Sequence, residues 1–413
     1  MEKKKIAFII IRYGVAVNGG AEAHCRMLAE RLTPFYDVEV LTTTTRIFGD
    51  PEADFAEGES VENGVTVRRF RPHPIDGERH RQLGRQCRTA LRVRRHLDQL
   101  HLLGAVSSLH PVWRMSTEAE RRFFLSQPDH TPAMLRFIEQ YQEEYAALLF
   151  MNFYFSQTVL GSVIAPQKTI LIPLVHPDKN LYWALNAPMF TRVRHIAFNT
   201  EAERHAARRI FGTSLAPNSL VGCGIEQTTA ADWDQVRAPY HLPERYVLYL
   251  GRVTPSKPND LIPCFLDYCR RYGSDTKLVL TGGIDPQAGE ETHPEILRTG
   301  FVCDAEKAAI IRHATVMVNP SHLESLSLLM LEAMNSRIPV LVNGRSRVMK
   351  EHCRLSGAAL WYDNKREFLR HLHRLLTDEA FRTELGSRGP AYVREHYAWE
   401  RIIPALRHLI EAI

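Results

Sequence analysis

Short apolar runs alternate along this chain with stretches in which apolar residues return every third or fourth position. In the first half IAFIII (residues 6–11), DVEVLTT, VTVRRF, AALLFMN, TILIPLVH and HIAFNT read as strands, because each is brief, β-branched and closed by polar or turn residues. In the second half YVLYLGRV, KLVLTGG, ATVMVNPS and IPVLVNG are almost continuously apolar, as parallel strands covered on both faces require. Helical patterns lie between them. After the first strand Ala21, Cys25, Leu28, Ala29 and Leu32 fall on one face of a 3.6-residue period, so the chain opens as strand, glycine-bearing turn and helix.

The polar, turn-rich stretch 220–239 separates the two βα series and puts a hinge near residues 222–226. Two doubly wound α/β domains facing a cleft are expected, residues 1–222 and 223–396, with 397–413 returning to the first. A chain of 413 residues exceeds one ordinary core, which agrees.

Hydrophobic residues at 45% and charged residues at 24% are ordinary for a soluble globular protein. The basic start MEKKK is followed by an apolar run that stops at Arg12 with no small-residue cleavage site, so it predicts a buried strand and not a leader. No run approaches the roughly 18–20 apolar residues of a membrane span. A cytoplasmic protein is expected, at most peripheral on the inner membrane face. Seven scattered cysteines contain no C-x-x-C pair and read as reduced, space-filling thiols. The net charge of +5 is modest, but seven arginines crowd between Arg79 and Arg95. They predict a local basic face.

Several features fall at strand carboxyl ends, where open α/β sheets bind ligands. In NGGAE, Gly19 and Gly20 precede a helix and suit either the close approach of a phosphate or plain turn geometry. In GRVTPSK, Arg252 and Lys257 either grip one anionic group together or are solvated loop cations. In ESLSLLMLE two acids bracket a mostly small and apolar stretch, residues 324–332. A helix starting near Ser327 turns its first N–H groups toward the strand tip, where a diphosphate fits. Glu324 then lies in the turn, and Glu332 about 7.5 Å along the axis. Carboxylates only accept hydrogen bonds, which suits them to sugar and ribose hydroxyls.

Glu324 with Glu332, Arg252 with Lys257, and the first glycine turn together resemble the GT-B glycosyltransferases of family 4 and their E-x7-E signature. The likeness extends to PSHLESLSLLMLEAMNSRIPVLVNG and to HYAWERIIPALRHLI as a terminal helix that crosses back to the first domain. It implies a retaining, metal-independent transferase with no cofactor beyond its nucleotide-sugar donor, leaning toward GDP-mannose, and an acceptor that is a glycan or lipid-linked saccharide of cell-surface polysaccharide. It assigns Glu324 to the donor sugar, Glu332 to the ribose, Arg252 and Lys257 to the departing diphosphate, and His176 to the transferred sugar. Gly300, Phe301 and Val302 border the base, and the helix start at Ser327 and Leu328 meets the phosphates. Ser325 and Ser327, Pro258 and Arg337 depart from positions the family often gives to glycine, and Arg337 is expected to be left-handed.

Residues 79–124 are read as an amphipathic face, open to a lipid-linked acceptor or simply solvated, while HPDKNLYWALNAPMF, with His176, Asp178, Tyr182 and Trp183, is the preferred place for sugar contacts. A non-catalytic nucleotide-sugar binder is the alternative. Nucleic acid is not an expected partner, since no recognition module accompanies the arginines. A dehydrogenase is disfavoured because the first turn lacks G-x-G-x-x-G. The Asp-x-Asp of DWD (residues 232–234) has no apolar strand before it, so it is not expected to hold a metal. Asp234→Ala and added EDTA should both leave transfer intact in a donor-turnover assay; loss of activity in both would overturn the metal-free reading.

Overall fold

The computed structural model describes residues 3–48, 50–74, 76–107, 111–253, 261–283 and 293–413. The chain divides into two compact units, Met1–Cys223 with Ile402–Ile413, and Gly224–Arg401.

Among the described residues the first unit carries eight strands: β1 (Lys5–Ile9), β2 (Asp37–Thr43), β3 (Gly58–Glu62), β4 (Val65–Phe70), β5 (Ala147–Met151), β6 (Thr169–Ile172), β7 (His195–Phe198) and β8 (Asn218–Leu220). They form one sheet in the order β3-β4-β2-β1-β5-β6-β7-β8, parallel except for the β3–β4 hairpin. β1 and β5 are central. All of β5 and residues 6–9 of β1 are buried, which is why they read as unbroken apolar runs. Glu39 breaks the apolar pattern of β2 and is nevertheless buried, because Lys5 at 2.9 Å, Arg68 at 2.7 Å and the Tyr145 hydroxyl at 2.5 Å surround its carboxylate.

The second unit has a six-stranded sheet of β9 (Tyr246–Leu250), β10 (Lys277–Thr281), β11 (Ile296–Gly300), β12 (Val316–Asn319), β13 (Val340–Asn343) and β14 (Ala359–Tyr362), in the order β11-β10-β9-β12-β13-β14. Every pairing in it is parallel. Val247, Leu280, Val318 and Leu341 on its strands pack with Phe265, Phe368 and Leu372 from flanking helices. The order in which successive strands are added to the sheet reverses between β9 and β12, as it does between β1 and β5 in the first unit. Those reversals open the crevices in which doubly wound sheets receive ligands.

The arginine-rich segment keeps Arg79, Arg81, Arg85, Arg88, Arg92 and Arg95 exposed, as a basic face requires, and departs from the sequence reading at Arg94. It forms the helices Gly77–Gln86, Arg88–Gln99, Leu103–Ser107, Pro111–Arg114 and Thr117–Leu125, and Arg94 is fully buried among them. Its guanidinium meets Glu120 at 2.5 Å and donates to the carbonyls of Val112 and Tyr182, both at 2.9 Å, so it belongs to the interior and not to a basic face. Glu120 in turn accepts the Ala184 N–H at 2.5 Å. Tyr182 and Trp183, expected to meet sugar, are core residues as well. The Tyr182 hydroxyl donates to Asp98 at 2.7 Å, and the Trp183 ring stacks on Phe123 with centroids 4.5 Å apart.

DWD also has a structural explanation. Asp232 caps the helix Trp233–Tyr240, its carboxylate accepting the Gln235 N–H at 3.2 Å. The chain ends in two helices, Gly389–Tyr397 and Trp399–Glu411, broken at the extended Ala398. The end of the last one bonds within the first unit, where the Tyr36 hydroxyl donates to Glu411 at 3.3 Å and Arg194 donates to the carbonyl of Ala412, just past the helix, at 2.7 Å. Among the described residues no helix is long and apolar enough to cross a membrane.

Removing one member of a fully buried ion pair leaves the other charge uncompensated. Glu120→Ala should therefore destabilise the first unit by about 3–5 kcal/mol, read as a lower urea midpoint in its unfolding transition.

Candidate functional site

In the second unit β12 runs out at Asn319, the chain turns through 320–327, and the helix Leu328–Asn335 begins. Ser327 stands at the helix start with φ 66°, the left-handed conformation that glycine usually supplies. Its hydroxyl does not cap the helix. It accepts from Asn319 Nδ2 at 3.1 Å, tying the end of the strand to the start of the helix, so the first-turn N–H groups are not met by that side chain.

From beneath, His352 of the helix Arg347–Ser356 holds the same turn. Its Nε2 lies 2.9 Å from the Leu326 carbonyl and its Nδ1 2.9 Å from the Tyr392 hydroxyl. A carbonyl only accepts, so Nε2 carries the proton and Nδ1 accepts from the tyrosine. Burial pushes His352 down to about 4, which keeps this neutral tautomer in place. With Leu326 anchored in the core, Glu324 is half-buried on the other side of the turn. Its charge is felt across the strand-order reversal by Tyr249, which burial and then Glu324 push up to about 12. The Tyr249 hydroxyl donates to the Arg252 carbonyl at 3.0 Å. Arg252 itself, just past β9, is exposed. Tyr249 thus bonds to the chain that follows β9 and feels the charge carried by the chain that follows β12. Lys257 and Pro258 lie outside the described residues.

Glu332 sits five residues into the site helix and faces the helix Asp304–His313. The Lys307 ammonium is 3.3 Å from its Oε1, 3.2 Å from its Oε2 and 3.1 Å from Asp304. Only Oε1 is hydrogen-bonded; Oε2 is enclosed without a hydrogen-bond partner among the described residues. Burial pushes the Glu332 carboxyl up, against the pull of Lys307. A cavity of about 250 Å³ is lined by Glu332, Lys307, Glu226, Arg312 and Asn335. In the loop expected to border a base, Gly300 is left-handed at φ 71°, Val302 is buried and the Phe301 ring is exposed. Phe301 is therefore the residue of that loop available for stacking. Leu328 is half-buried. Arg337 has φ 62°, the left-handed conformation expected of it.

In the first unit Gly19 and Gly20 begin the helix Gly20–Leu32. A Cβ on Gly19 would overlap the Glu22 carboxylate, which Arg12 Nε holds at 2.9 Å. Beside Gly19 the positive end of this helix is thus met by the chain's own anion, whereas Gly20 faces open space. His176 follows β6. Its Nε2 lies 3.3 Å from Asp178 Oδ2, its Nδ1 3.3 Å from the Leu174 carbonyl, and Phe153 packs edge-on with centroids 5.6 Å apart.

Sequence reasoning passed over His352, Tyr249, Lys307 and Arg12, each of which reaches the site residues from another element. It also passed over Asp129, whose carboxyl burial pushes up to about 6 against the pull of Arg12. None carries a local signal: they sit in ordinary helix, strand or turn patterns and acquire meaning only from residues distant in the chain.

Residues 244–378 match the family model described as glycosyl transferases group 1. The chain is 30% identical over 164 residues to glycosyltransferase 1 domain-containing protein 1 of Xenopus tropicalis, covering 38% of this chain and 46% of that protein. It is 28% identical over 233 residues to the D-inositol 3-phosphate glycosyltransferase of Streptomyces bingchenggensis, half of each chain. The chain thus spans about half the length of the curated relatives it matches. Among solved structures it superposes on sucrose-phosphate synthase from Thermosynechococcus elongatus with TM-score 0.68 and 18% identity over 99% of both chains. Anabaena HepE, crystallised with UDP and glucose, gives TM-score 0.67 and 14% identity over 99% of this chain and all of that one. At such identities the likeness is one of fold. Two parallel-sheet α/β units of the GT-B kind are what these structures share with this chain.

His352 titrates near 6.5 in an unfolded chain and near 4 here, so between those values only the unfolded state takes up the proton. Its contribution is whole above pH 6.5 and is lost as the pH falls toward 4, on the order of 3 kcal/mol in all. The urea stability of the second unit should therefore drop from pH 7 to pH 5 more steeply in the natural protein than in His352→Gln.

Proposed function

We propose that this protein is a glycosyltransferase that moves a sugar from a nucleotide-diphosphate donor to a carbohydrate or lipid-linked acceptor. One observation carries the reading: Glu324 and Arg252 follow the two adjacent strands at which strand order reverses, inside the segment that matches the transferase family model.

In this reading the diphosphate rests on the first-turn N–H groups at Ser327 and Leu328, where the helix dipole favours an anion. Arg252 and Lys257 stabilise the charge that develops on the departing diphosphate, the preorganised electrostatics that a metal would otherwise provide. Glu324 grips hydroxyls of the donor sugar, Glu332 those of the ribose, and His176 stands at the transferred sugar. Gly19 and Gly20 serve the donor only where Glu22 leaves room, on the Gly20 side. Retention of configuration follows if the acceptor attacks on the face the diphosphate leaves, a diphosphate oxygen taking the acceptor's proton. Glu324 is then a positioning group and forms no covalent intermediate.

The departure from glycine at residue 327 does not count against turnover, because Ser327 takes the backbone conformation glycine would have given. GDP-mannose is the donor toward which the family resemblance leans. The UDP bound to HepE makes UDP-sugars the other first choice. A role in cell-surface polysaccharide synthesis, on the cytoplasmic face of the membrane, belongs to the same proposal.

Incubation with GDP-, UDP- and dTDP-sugars, read by mass spectrometry for bound donor and by nucleotide release, should single out one base. Glu324→Gln and Lys257→Ala should each lower turnover by roughly 10²-fold or more while leaving the circular dichroism spectrum unchanged. Wild-type turnover in both variants would overturn the assignment.

A further inference from the structure

Glu203 is a buried carboxylate that the transfer reaction does not use directly. It stands in the first turn of the helix Glu201–Phe211, 1% exposed, beside the carboxyl ends of β6 and β7. One carboxylate oxygen accepts the Val175 N–H, beyond β6, and the other accepts the Asn199 N–H at 2.6 Å, beyond β7. The Thr200 N–H adds a third bond. Both oxygens meet only N–H donors among the described residues, which is the environment of an anion, although burial pushes this carboxyl up to about 8.

The residue before Val175 is strained. Leu174 has φ 54°, a left-handed conformation that costs a leucine roughly 1–2 kcal/mol. Such a conformation persists only where its surroundings over-determine it. Among the described residues the other hydrogen bonds of 174–178 stay within the segment or reach the short helix Lys179–Tyr182 that follows it: His176 Nδ1 to the Leu174 carbonyl at 3.3 Å, the Asp178 N–H to the His176 carbonyl at 2.8 Å, His176 Nε2 with Asp178 at 3.3 Å, and Asp178 accepting from the Asn180 N–H at 2.7 Å, Asn180 Nδ2 at 3.0 Å and the Leu181 N–H at 3.4 Å. The bond from Val175 to Glu203 is, among the described residues, the one that ties this turn to an element distant in the chain.

We propose that Glu203 is the positioning residue for His176: by clamping the Val175 N–H it holds the left-handed bend at Leu174 that aims the imidazole. A glutamine there would turn an NH₂ group against a backbone N–H and lose part of the clamp, whereas an aspartate would keep the carboxyl group at the helix start and fall short of Val175. The inference rests on the proposed transfer reaction and on a part for His176 in it.

The test follows the His176 ring signals by NMR, assigned by their loss in His176→Ala, together with donor kinetics in Glu203→Gln and Glu203→Asp. In whichever variant keeps cooperative unfolding, the His176 signals should move and kcat should fall roughly 10- to 100-fold, with donor KM unchanged within about twofold. A folded variant with natural His176 signals and natural kcat would overturn the clamp. Full turnover in His176→Ala would instead overturn the role given to His176 in transfer, and the ring signals would still decide whether Glu203 aims it.

Discussion

In a parallel sheet every strand delivers its carboxyl end to the same edge, and a doubly wound order opens one crevice there, between the two strands at which the winding reverses. That constraint decides where chemistry gathers in both units. Arg12 and Gly19 follow β1, His176 follows β6, and Glu203 lies just past β7. In the second unit Arg252 follows β9, Val302 follows β11 and Glu324 follows β12. Residues that are 72 positions apart, Arg252 and Glu324, both act on one tyrosine, the first through its carbonyl and the second through its charge, because β9 and β12 are adjacent in the sheet. Nothing in the helices between them has to specify that arrangement.

The same constraint explains which strands the sequence declared. The ten it predicts are those paired on both sides, and burial makes most of them short apolar runs, although Glu39 interrupts β2 and Thr66, Arg68 and Arg69 interrupt β4. The four it misses, β3, β8, β11 and β14, are the edges of the two sheets. An edge strand has one neighbour and needs no unbroken apolar face: β3 is almost wholly exposed and β11 half-buried throughout. β8 pairs over only three residues, Asn218–Leu220, too short a run to stand out beside the turn-rich stretch that begins at Leu220. The acid motif was legible for a related reason. Its helix start, its strand and its two carboxylates are contiguous, so local spacing carried most of the geometry.

Charge was the least legible quantity. A run of arginines suggests a solvated face because nothing local distinguishes Arg94 from Arg92 or Arg95; the partner that draws it inward, Glu120, lies on another helix, 26 residues away. Glu39 on a buried strand is the converse, an acid whose burial is made tolerable by Lys5, Arg68 and Tyr145. Tyr182 and Trp183 belong to the same lesson. An aromatic beside polar groups resembles a sugar platform in a sequence, yet here Asp98 and Phe123 engage both side chains within the core.

Left-handed backbone at non-glycine residues is not confined to the site, since Asn63, His101 and His241 adopt it too, but it recurs at the strand-end turns. Leu174, Ser327 and Arg337 all adopt left-handed conformations that glycine would adopt without cost. At Ser327 the side chain gives a reason, since its hydroxyl receives Asn319 and a glycine would lose that tie between strand and helix. At Leu174 the side chain is buried in the first unit, so its packing and the Glu203 clamp together offset the strain. A glycine at either position would relax the backbone and at the same time widen the range of conformations open to the turn. A strained residue fixed from two sides admits fewer alternatives, and an acid or imidazole borne on such a turn is held in place before any ligand arrives. Stored strain and fixed geometry are thus one property of these strand-end turns.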